Sequence, residues 1–354
     1  MQQRSDTGLA FLLQYENIAW YENGKVRILD RRIYPKVEYV TCHTHGEVAK
    51  AITDMVTQSA GPFTAGAMGM ALAAYECREN SEKERLLYLE RAAEVITNAR
   101  PTTKDRMRRI TSGCLEAAKE AILSGEDVSA AIVAHAIRTN NQRYDKMARI
   151  GEYLVDMIPN GGKVLTQCFG ETVVGQMLKA ARARNKDIKV YCAETRPYFQ
   201  GARLTASVVR DMGFDVTVIT DNMPAFAMQQ EKIDVYTSAA DVICMDGHVV
   251  NKVGTFQIAI AAKHLGIPYF VTGAPEMGHP DLGSVHIEMR DPAYTLQAMG
   301  VATTMEGVKG YYPAFDITPP HLVSGVVTDH GIYAPYDLKR YFENPGVGAF
   351  DIVV

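Results

Sequence analysis

Apolar residues recur at helical spacing over most of the first part of the chain. Short alternating strands are expected only within residues 17–42, where Asn23-Gly24 predicts a hairpin turn. Beyond them, helical spacing is found in five segments: 47–58, 66–75, 81–98, 103–123 and 128–157. The pattern predicts a smaller, mostly helical N-terminal domain with a short β element, over residues 1–145.

From residue 163 the pattern alternates between strands and helices. Apolar runs of strand length fall at 163–168, 188–192, 216–220, 235 with 242–244, and 269–272. This alternation predicts βαβ units and a Rossmann-like parallel sheet with helices on both faces, in an α/β domain over residues 146–354. Right-handed crossovers bring the carboxyl ends of such strands to one edge. Cys168, Glu194 and Asp241 fall near those ends.

Composition and charge narrow the possible functions. The chain has 354 residues, 47% hydrophobic and 22% charged, which is typical of a globular protein. Its formal net charge of −4 argues against a large basic surface for nucleic acid. No apolar run of about 18 residues predicts a membrane span, and the apolar stretch after the N-terminus is short for a secretory signal. The six cysteines lack zinc or redox spacing and indicate a reducing compartment, so we expect a cytoplasmic protein.

Several residues suited to binding anions lie at the starts of predicted helices, where backbone N–H groups favour an anion. Pro101 suits the first position of one such helix, and the other two starts follow apolar runs of strand length. Arg100 precedes Pro101, and Arg196 precedes Pro197, Gln200 and Gly201. The segment Asn251-Lys252-Val253-Gly254-Thr255 adds an amide, a positive charge and a flexible glycine. Ligands bind at this edge of open α/β sheets, although each residue alone could be a helix cap or a surface charge. No Gly-rich nucleotide-phosphate loop is present, so the group predicts a sugar-phosphate site.

Two further residues could carry chemistry. Asp241 lies among alanines and β-branched residues, where desolvation would favour its neutral form, as a general acid requires. Cys168 ends an apolar run and could ionise more readily than a free cysteine if helix N-termini face it. The alternatives are an aspartate that caps a turn and a buried, inert thiol. Glu194 is a spare carboxylate or a partner of Arg196, and we expect no metal site.

Five short motifs can be compared with those of known protein families. They are Glu194–Thr205, Asp221-Asn222-Met223, Asp241–Thr255, Arg290-Asp291-Pro292 and Pro313–Pro319. In these motifs the chain resembles aldose–ketose isomerases that act on S-methyl-5-thioribose 1-phosphate, with relatives that act on ribose 1,5-bisphosphate and 5-deoxyribose 1-phosphate. The same fold family includes regulatory subunits of the exchange factor for eukaryotic translation initiation. The resemblance covers roughly residues 60–335.

The resemblance implies a role for individual residues. It implies catalysis by Cys168 and Asp241, and substrate contacts from Arg100, Gln200, Asn251 and Lys252. It also implies a homodimer that needs neither a metal nor an organic cofactor, working in methionine salvage. The family's Arg-Gly-Ala motif appears here within Thr64-Ala65-Gly66-Ala67, so Gly66 and Ala67 are possible contacts and a phosphate-binding arginine is missing.

The expected reaction is therefore the conversion of a 5-substituted ribose 1-phosphate, of the S-methyl-5-thio or 5-deoxy type, to the ribulose 1-phosphate. Two alternatives remain open. One is a ribose-1,5-bisphosphate isomerase, for which Arg196, Arg203 or Arg290 could supply a second cationic anchor. The other is a non-catalytic regulatory subunit that senses a sugar phosphate or a nucleotide.

Overall fold

The computed structural model describes residues 4–100, 104–345 and 347. Its contacts divide the chain into two compact units, one ending at Asp145 and the other beginning at Lys146. Within the described ranges, no helix is long and apolar enough to cross a membrane.

The helices are α1 Tyr15–Ile18, α2 His45–Thr53, α3 Gly61–Glu76, α4 Glu82–Thr97, α5 Lys104–Ser124, α6 Val128–Asp156, α7 Thr172–Ala183, α8 Ala206–Asp211, α9 Pro224–Gln230 and α10 Thr255–His264. The strands are β1 Ala19–Glu22, β2 Lys25–Leu29, β3 Tyr39–Cys42, β4 Gly162–Gln167, β5 Ile188–Ala193, β6 Asp215–Ile219, β7 Val235–Ala239, β8 Val242–Ile243, β9 Val249–Lys252, β10 Tyr269–Thr272, β11 Gln297–Ala298, β12 Val301–Ala302, β13 Phe315–Thr318, β14 Gly325–Thr328 and β15 Gly331–Tyr333. A π-helical turn, Gly201–Thr205, leads into α8.

The N-terminal unit packs helices against a small antiparallel sheet. The order of that sheet is β1-β2-β3, with the Asn23-Gly24 turn between its first two strands as expected. Helix α3 is buried along almost its whole length, because small residues let its neighbours approach closely. A Cβ added to Gly66 would lie 2.6 Å from Sδ of Met107, so this glycine is needed for helix packing. Ser81 and Glu84 form a capping box that starts α4.

The second unit is built on a seven-stranded sheet. Its order is β15-β14-β10-β7-β4-β5-β6, and every neighbouring pair is parallel except β14 with β15. The prediction of a parallel sheet flanked by helices, with a helical N-terminal region, is confirmed. The chain runs outward from β4 through β5 to β6, and then returns to place β7 on the other side of β4. The strand order therefore reverses between β4 and β7, which is where open α/β sheets bind ligands.

A second, antiparallel sheet lies beside this edge. Its order is β13-β9-β8, and its register sets Lys252 opposite Phe315 and Asn251 opposite Asp316. The sequence pattern had joined residue 235 to residues 242–244 as parts of one run, but the structure separates them into β7 and β8. The segment between them carries Asp241.

Candidate active site

Cys168 and Asp241 follow the two strands that flank the reversal of strand order. Cys168 comes directly after β4, and Asp241 comes two residues after the end of β7. These strands are parallel neighbours, with Thr166 paired to Thr237. The backbone N–H of Asp241 donates to the carbonyl of Val250 at 2.8 Å, which ties this segment to β9. Two residues that are 73 positions apart in the sequence (168 and 241) are thus brought to one sheet edge.

The thiol of Cys168 is held in its protonated form. Its pKa is raised to about 11, chiefly by burial; the negative charge of Asp241 also raises the pKa, whereas Lys252 and Arg290 lower it. The expectation that this thiol would ionise more readily than a free cysteine is therefore wrong. Desolvation outweighs the neighbouring positive charges, because the hydration free energy that a thiolate loses on burial exceeds the attraction that it gains from Lys252 and Arg290. Asp241, Lys252 and Arg290 are thus the charged groups whose electrostatic influence reaches the thiol.

Asn251 and Lys252 lie on β9, before the helix rather than at its start. Each side chain is only 4% exposed. Helix α10 begins at Thr255 and its N-cap is Gly254, so Asn251 does not cap it; its amide donates to Oγ1 of Thr255 at 3.1 Å. Oγ1 of Thr255 in turn donates to Oε1 of Gln167 at 2.6 Å. This chain of hydrogen bonds joins β9 to the residue that precedes Cys168.

The ammonium group of Lys252 lies among aromatic rings. It donates to the carbonyl of Ala314 at 2.9 Å and lies 5.0 Å from the ring centre of Phe315 and 5.8 Å from that of Tyr312. The guanidinium of Arg290 lies 5.6 Å from the ring centre of the same Phe315, and its Nε donates to the carboxylate of Glu288 at 2.8 Å. Lys252 is therefore a fixed positive charge in an apolar setting, where its attraction for an anion is strong.

Asp316 occupies the N-terminus of α10. Its Oδ2 accepts the N–H groups of Gly254 at 2.6 Å and of Phe256 at 3.1 Å. Its Oδ1 is buried and has no hydrogen-bond partner among the described residues. Burial raises the pKa of Asp316 to about 6, although both N–H groups and Lys252 lower it. This end of α10, which the sequence suggested for a substrate anion, already holds a carboxylate of the protein.

Asp316→Asn is expected to change the pH dependence of stability. The folded state binds this proton more tightly than the unfolded chain does, so wild-type stability falls as pH rises from about 4 through the folded pKa of about 6. The amide keeps the acceptor and carries no charge. Relative to wild type, the variant should therefore gain about 2 kcal/mol in free energy of unfolding between pH 4.5 and pH 7.5, measured by urea denaturation.

Asp281→Asn is the matched control, because Asp281 caps the N–H of Gly283 in an exposed turn. Its difference from wild type should stay nearly constant over the same range. A difference between Asp316→Asn and wild type that does not change with pH would show that the proton is not taken up at Asp316.

The segment Glu194–Gly201 forms a tight turn after β5. The carboxylate of Asp221 accepts the N–H groups of Thr195 at 2.8 Å and Arg196 at 2.7 Å. The peptide bond between Arg196 and Pro197 is cis. Gly201 is required here, because an added Cβ would collide with the carbonyl of Ala193. The turn is therefore fixed by its backbone contacts and by a carboxylate from the loop after β6.

The side chains of this turn differ in what they contact. Arg196 does not form the pair with Glu194 that the sequence allowed; its Nη2 donates to the carbonyl of Gln297 at 2.7 Å. Burial and Asp221 raise the pKa of Glu194, and Arg196 lowers it. Gln200 is 4% exposed, and its Oε1 has no hydrogen-bond partner among the described residues. An unsatisfied buried amide of this kind suits a hydroxyl donor from a ligand.

The remaining expected contacts belong to the N-terminal unit. Gly66 and Ala67 are buried within α3. Arg100 is half-buried after α4, and Pro101, which was expected to start the next helix, lies outside the described residues. Within the described ranges, no three His, Cys, Asp or Glu side chains group in a way that could hold a metal ion.

The comparisons with known proteins identify the family. A model of the Initiation factor 2 subunit family matches residues 59–335. The chain belongs to this family. As a member of it, the chain is 34% identical over 329 residues to the methylthioribose-1-phosphate isomerase of Chloroflexus aurantiacus, covering 89% of this chain and 94% of that protein. It is 32% identical over 345 residues to the 5-deoxyribose 1-phosphate isomerase of Clostridium botulinum, covering 92% and 98%.

Solved structures of this family share the fold. The 5-methylthioribose 1-phosphate isomerase of Pyrococcus horikoshii OT3 matches with a TM-score of 0.82 and 29% identity, over 94% of this chain and 97% of that one. The structure described as translation initiation factor eIF-2B, subunit delta, from A. fulgidus matches with a TM-score of 0.77 and 30% identity, over 90% and 96%. The family resemblance read from the motifs is thus confirmed.

Sequence reasoning gave no role to several residues that shape the site. They are Gln167, Thr195, Thr205, Asp221, Tyr312 and Asp316. Most of them lie inside the motifs that carry the family resemblance. Their place in those motifs is the one feature of the sequence that could have indicated a role in the site. Their contacts, however, join segments far apart in the sequence, such as Asp316 with Gly254, so spacing alone could not indicate them.

Proposed function

We propose that the chain is an aldose–ketose isomerase that converts a 5-substituted ribose 1-phosphate to the corresponding ribulose 1-phosphate. The observation that carries this proposal is the approach of Cys168 and Asp241 where the strand order reverses, beside the buried ammonium of Lys252. The isomerase names of the two curated relatives support the reaction class. Lys252, Asn251 and Gln200 would bind the substrate's phosphate and hydroxyl groups, with Glu194 and Arg196 as further contacts. For Arg100, Gly66 and Ala67, substrate contacts are supported by the family resemblance alone.

The first step would open the furanose ring. A phosphate on the anomeric carbon C1 prevents simple opening to a free aldehyde, so the ring oxygen must leave while the phosphate stays. Asp241 would donate a proton to that oxygen as the C1–O bond breaks, leaving positive charge on C1. A general acid within hydrogen-bonding reach of the leaving oxygen supplies this assistance.

The second step would move hydrogen from C2 to C1. In the route we favour, the C2–H bond breaks and its electron pair passes to C1 as a hydride. The C2 hydroxyl then loses its proton to the Asp241 carboxylate and becomes the ketone. Cys168, kept as a thiol by its raised pKa, is a poor base for the alternative proton transfer. Its sulfur would instead face the positive charge that develops at C1.

A panel of ribose 1-phosphates tests the function. The group at C5 should be varied among methylthio, hydrogen, hydroxyl and phosphate, and ketose formation followed by proton NMR. We expect turnover with the methylthio or the 5-deoxy compound and little with the 5-phosphate, because Glu288 already pairs with Arg290, one of the arginines that could anchor a second phosphate. Absence of ketose from all four would overturn the proposal.

The same spectra, recorded in D2O, distinguish the two hydrogen-transfer routes. A hydride shift keeps the original hydrogen, so both C1 positions of the product should carry protium. Proton transfer through an enediol would allow exchange with solvent and leave deuterium at C1. Deuterium at C1 throughout the reaction would exclude the hydride route while leaving the isomerase function standing.

A regulatory subunit is the second candidate, and its specific support is the 30% identity with the A. fulgidus structure described as an initiation-factor subunit. The NMR panel discriminates the two, since a non-catalytic subunit would bind without forming ketose. We also propose, from the family resemblance, a cytoplasmic homodimer. Light scattering after size exclusion would contradict the dimer if it gave the mass of one 39.0 kDa chain.

A further inference from the structure

We infer that Thr195 and Thr205 are positioning residues that hold the backbone of Cys168 in the conformation from which its thiol works. The inference rests on the proposed function for its catalytic meaning. The contacts themselves involve only this chain. Neither threonine would touch the substrate, so each would act through Cys168.

The backbone of Cys168 is in an unusual conformation. Its φ angle is +62°, in the left-handed region that residues with a Cβ rarely adopt. Two hydroxyl groups hold it from both sides. The N–H of Cys168 donates to Oγ1 of Thr195 at 2.9 Å, and its carbonyl accepts from Oγ1 of Thr205 at 2.5 Å. Both polar groups of one strained residue are therefore bound by side chains from a single neighbouring segment.

Thr195 is itself tightly held. It is 1% exposed and has a φ of +64°, which is exceptional for a β-branched residue. Its N–H donates to Asp221, and its hydroxyl donates to the carbonyl of Ala193 at 3.0 Å. Because that proton is committed to Ala193, a lone pair of Oγ1 is left to accept the N–H of Cys168. The backbone conformation of Thr195 thus places its hydroxyl between the carbonyl of Ala193 and the N–H of Cys168.

Strained backbone persists only where surrounding contacts over-determine it. Without either hydroxyl, Cys168 would have fewer contacts to oppose relaxation towards an ordinary φ, and the thiol would shift relative to Asp241. A displacement of about 1 Å at a reacting group lowers the rate by about a hundredfold. We therefore expect a loss in kcat rather than in substrate affinity, since neither threonine binds the substrate.

The test compares pairs of variants at each position. Thr195→Val and Thr205→Val remove the hydroxyl and keep the branched shape, whereas Thr195→Ser and Thr205→Ser keep the hydroxyl. Thr237→Val is the matched control, because Thr237 is also buried and donates to a backbone carbonyl, that of Phe270, at 2.9 Å. We expect each valine variant at 195 or 205 to lower kcat tenfold to about a hundredfold with KM nearly unchanged, and each serine variant to restore most of it.

A second readout needs no substrate. Alkylation of Cys168 by iodoacetamide, located by peptide mass spectrometry, reports the environment of the thiol. Its rate should change severalfold in the valine variants and not in Thr237→Val. Valine variants that match wild type in both kcat and alkylation, or serine variants as damaged as the valines, would overturn the inference. If wild type forms no ketose, the proposed function fails, and the alkylation rates alone decide whether the two hydroxyls position Cys168.

Discussion

Asp241→Asn should lower kcat by about a hundredfold to ten-thousandfold, the range that loss of a general acid produces. The ring oxygen would otherwise leave as an alkoxide, and the N–H protons of the asparagine carboxamide are not acidic enough to be transferred to it. Size and shape are conserved by the change. The backbone hydrogen bond from residue 241 to Val250 is also unaffected by it. The measurement is the initial rate of ketose formation, followed by proton NMR with the best substrate of the panel.

Asp246→Asn provides the control for that experiment. Asp246 lies five residues further along the chain (241 to 246), in a turn where its carboxylate accepts the N–H of His248. Removing its charge should leave kcat within about threefold of wild type, since it touches only the turn. Asp241 would have no part in proton transfer if Asp241→Asn kept near-normal turnover while folding normally. Equal losses in the two variants would instead indicate a general effect of negative charge in this region.

The sequence allowed the sheet edge to be predicted because its signals are local. Alternating strands and helices, with a glycine in left-handed conformation after α8 and after α10, need only neighbouring residues to specify them. Parallel strands then bring Cys168 and Asp241 to the same edge whatever the order of strands. What the pattern could not give is that β7 lies directly beside β4, since strand order depends on contacts between distant segments.

The position of Asn251 and Lys252 shows the same limit. Their sequence, followed by Gly254, is typical of a helix start, yet both lie on β9 because β13 pairs with that strand. Residues of β13 come more than sixty positions later in the chain, so the local sequence around Asn251 gives no indication of this strand pairing. The same pairing brings Asp316 to the N-terminus of α10, where it takes the N–H groups that had been assigned to a ligand.

Cys168→Ala is expected to lower kcat by about a hundredfold, as removal of one group that stabilises transition-state charge typically does. Cys168→Ser should lose less, because a hydroxyl also presents lone pairs to the positive charge at C1, although they are less polarisable than those of sulfur. The control is Cys192→Ala, which removes a fully buried thiol from β5. That variant should lose some stability through the small cavity and keep its kcat.

The pH profile decides in which form the thiol works. With a pKa of about 11, roughly one molecule in a thousand carries the thiolate at pH 8. If the thiol is the working form, the contribution of Cys168, measured as the kcat ratio of wild type to Cys168→Ala, stays level from pH 7 to 9 and falls as pH approaches 11. If the thiolate is the base, that ratio should instead rise about tenfold per unit over the same range. A rising ratio would contradict the role given to Cys168 and would favour the proton-transfer route instead. In that route the thiolate acts as the base that removes the proton from C2.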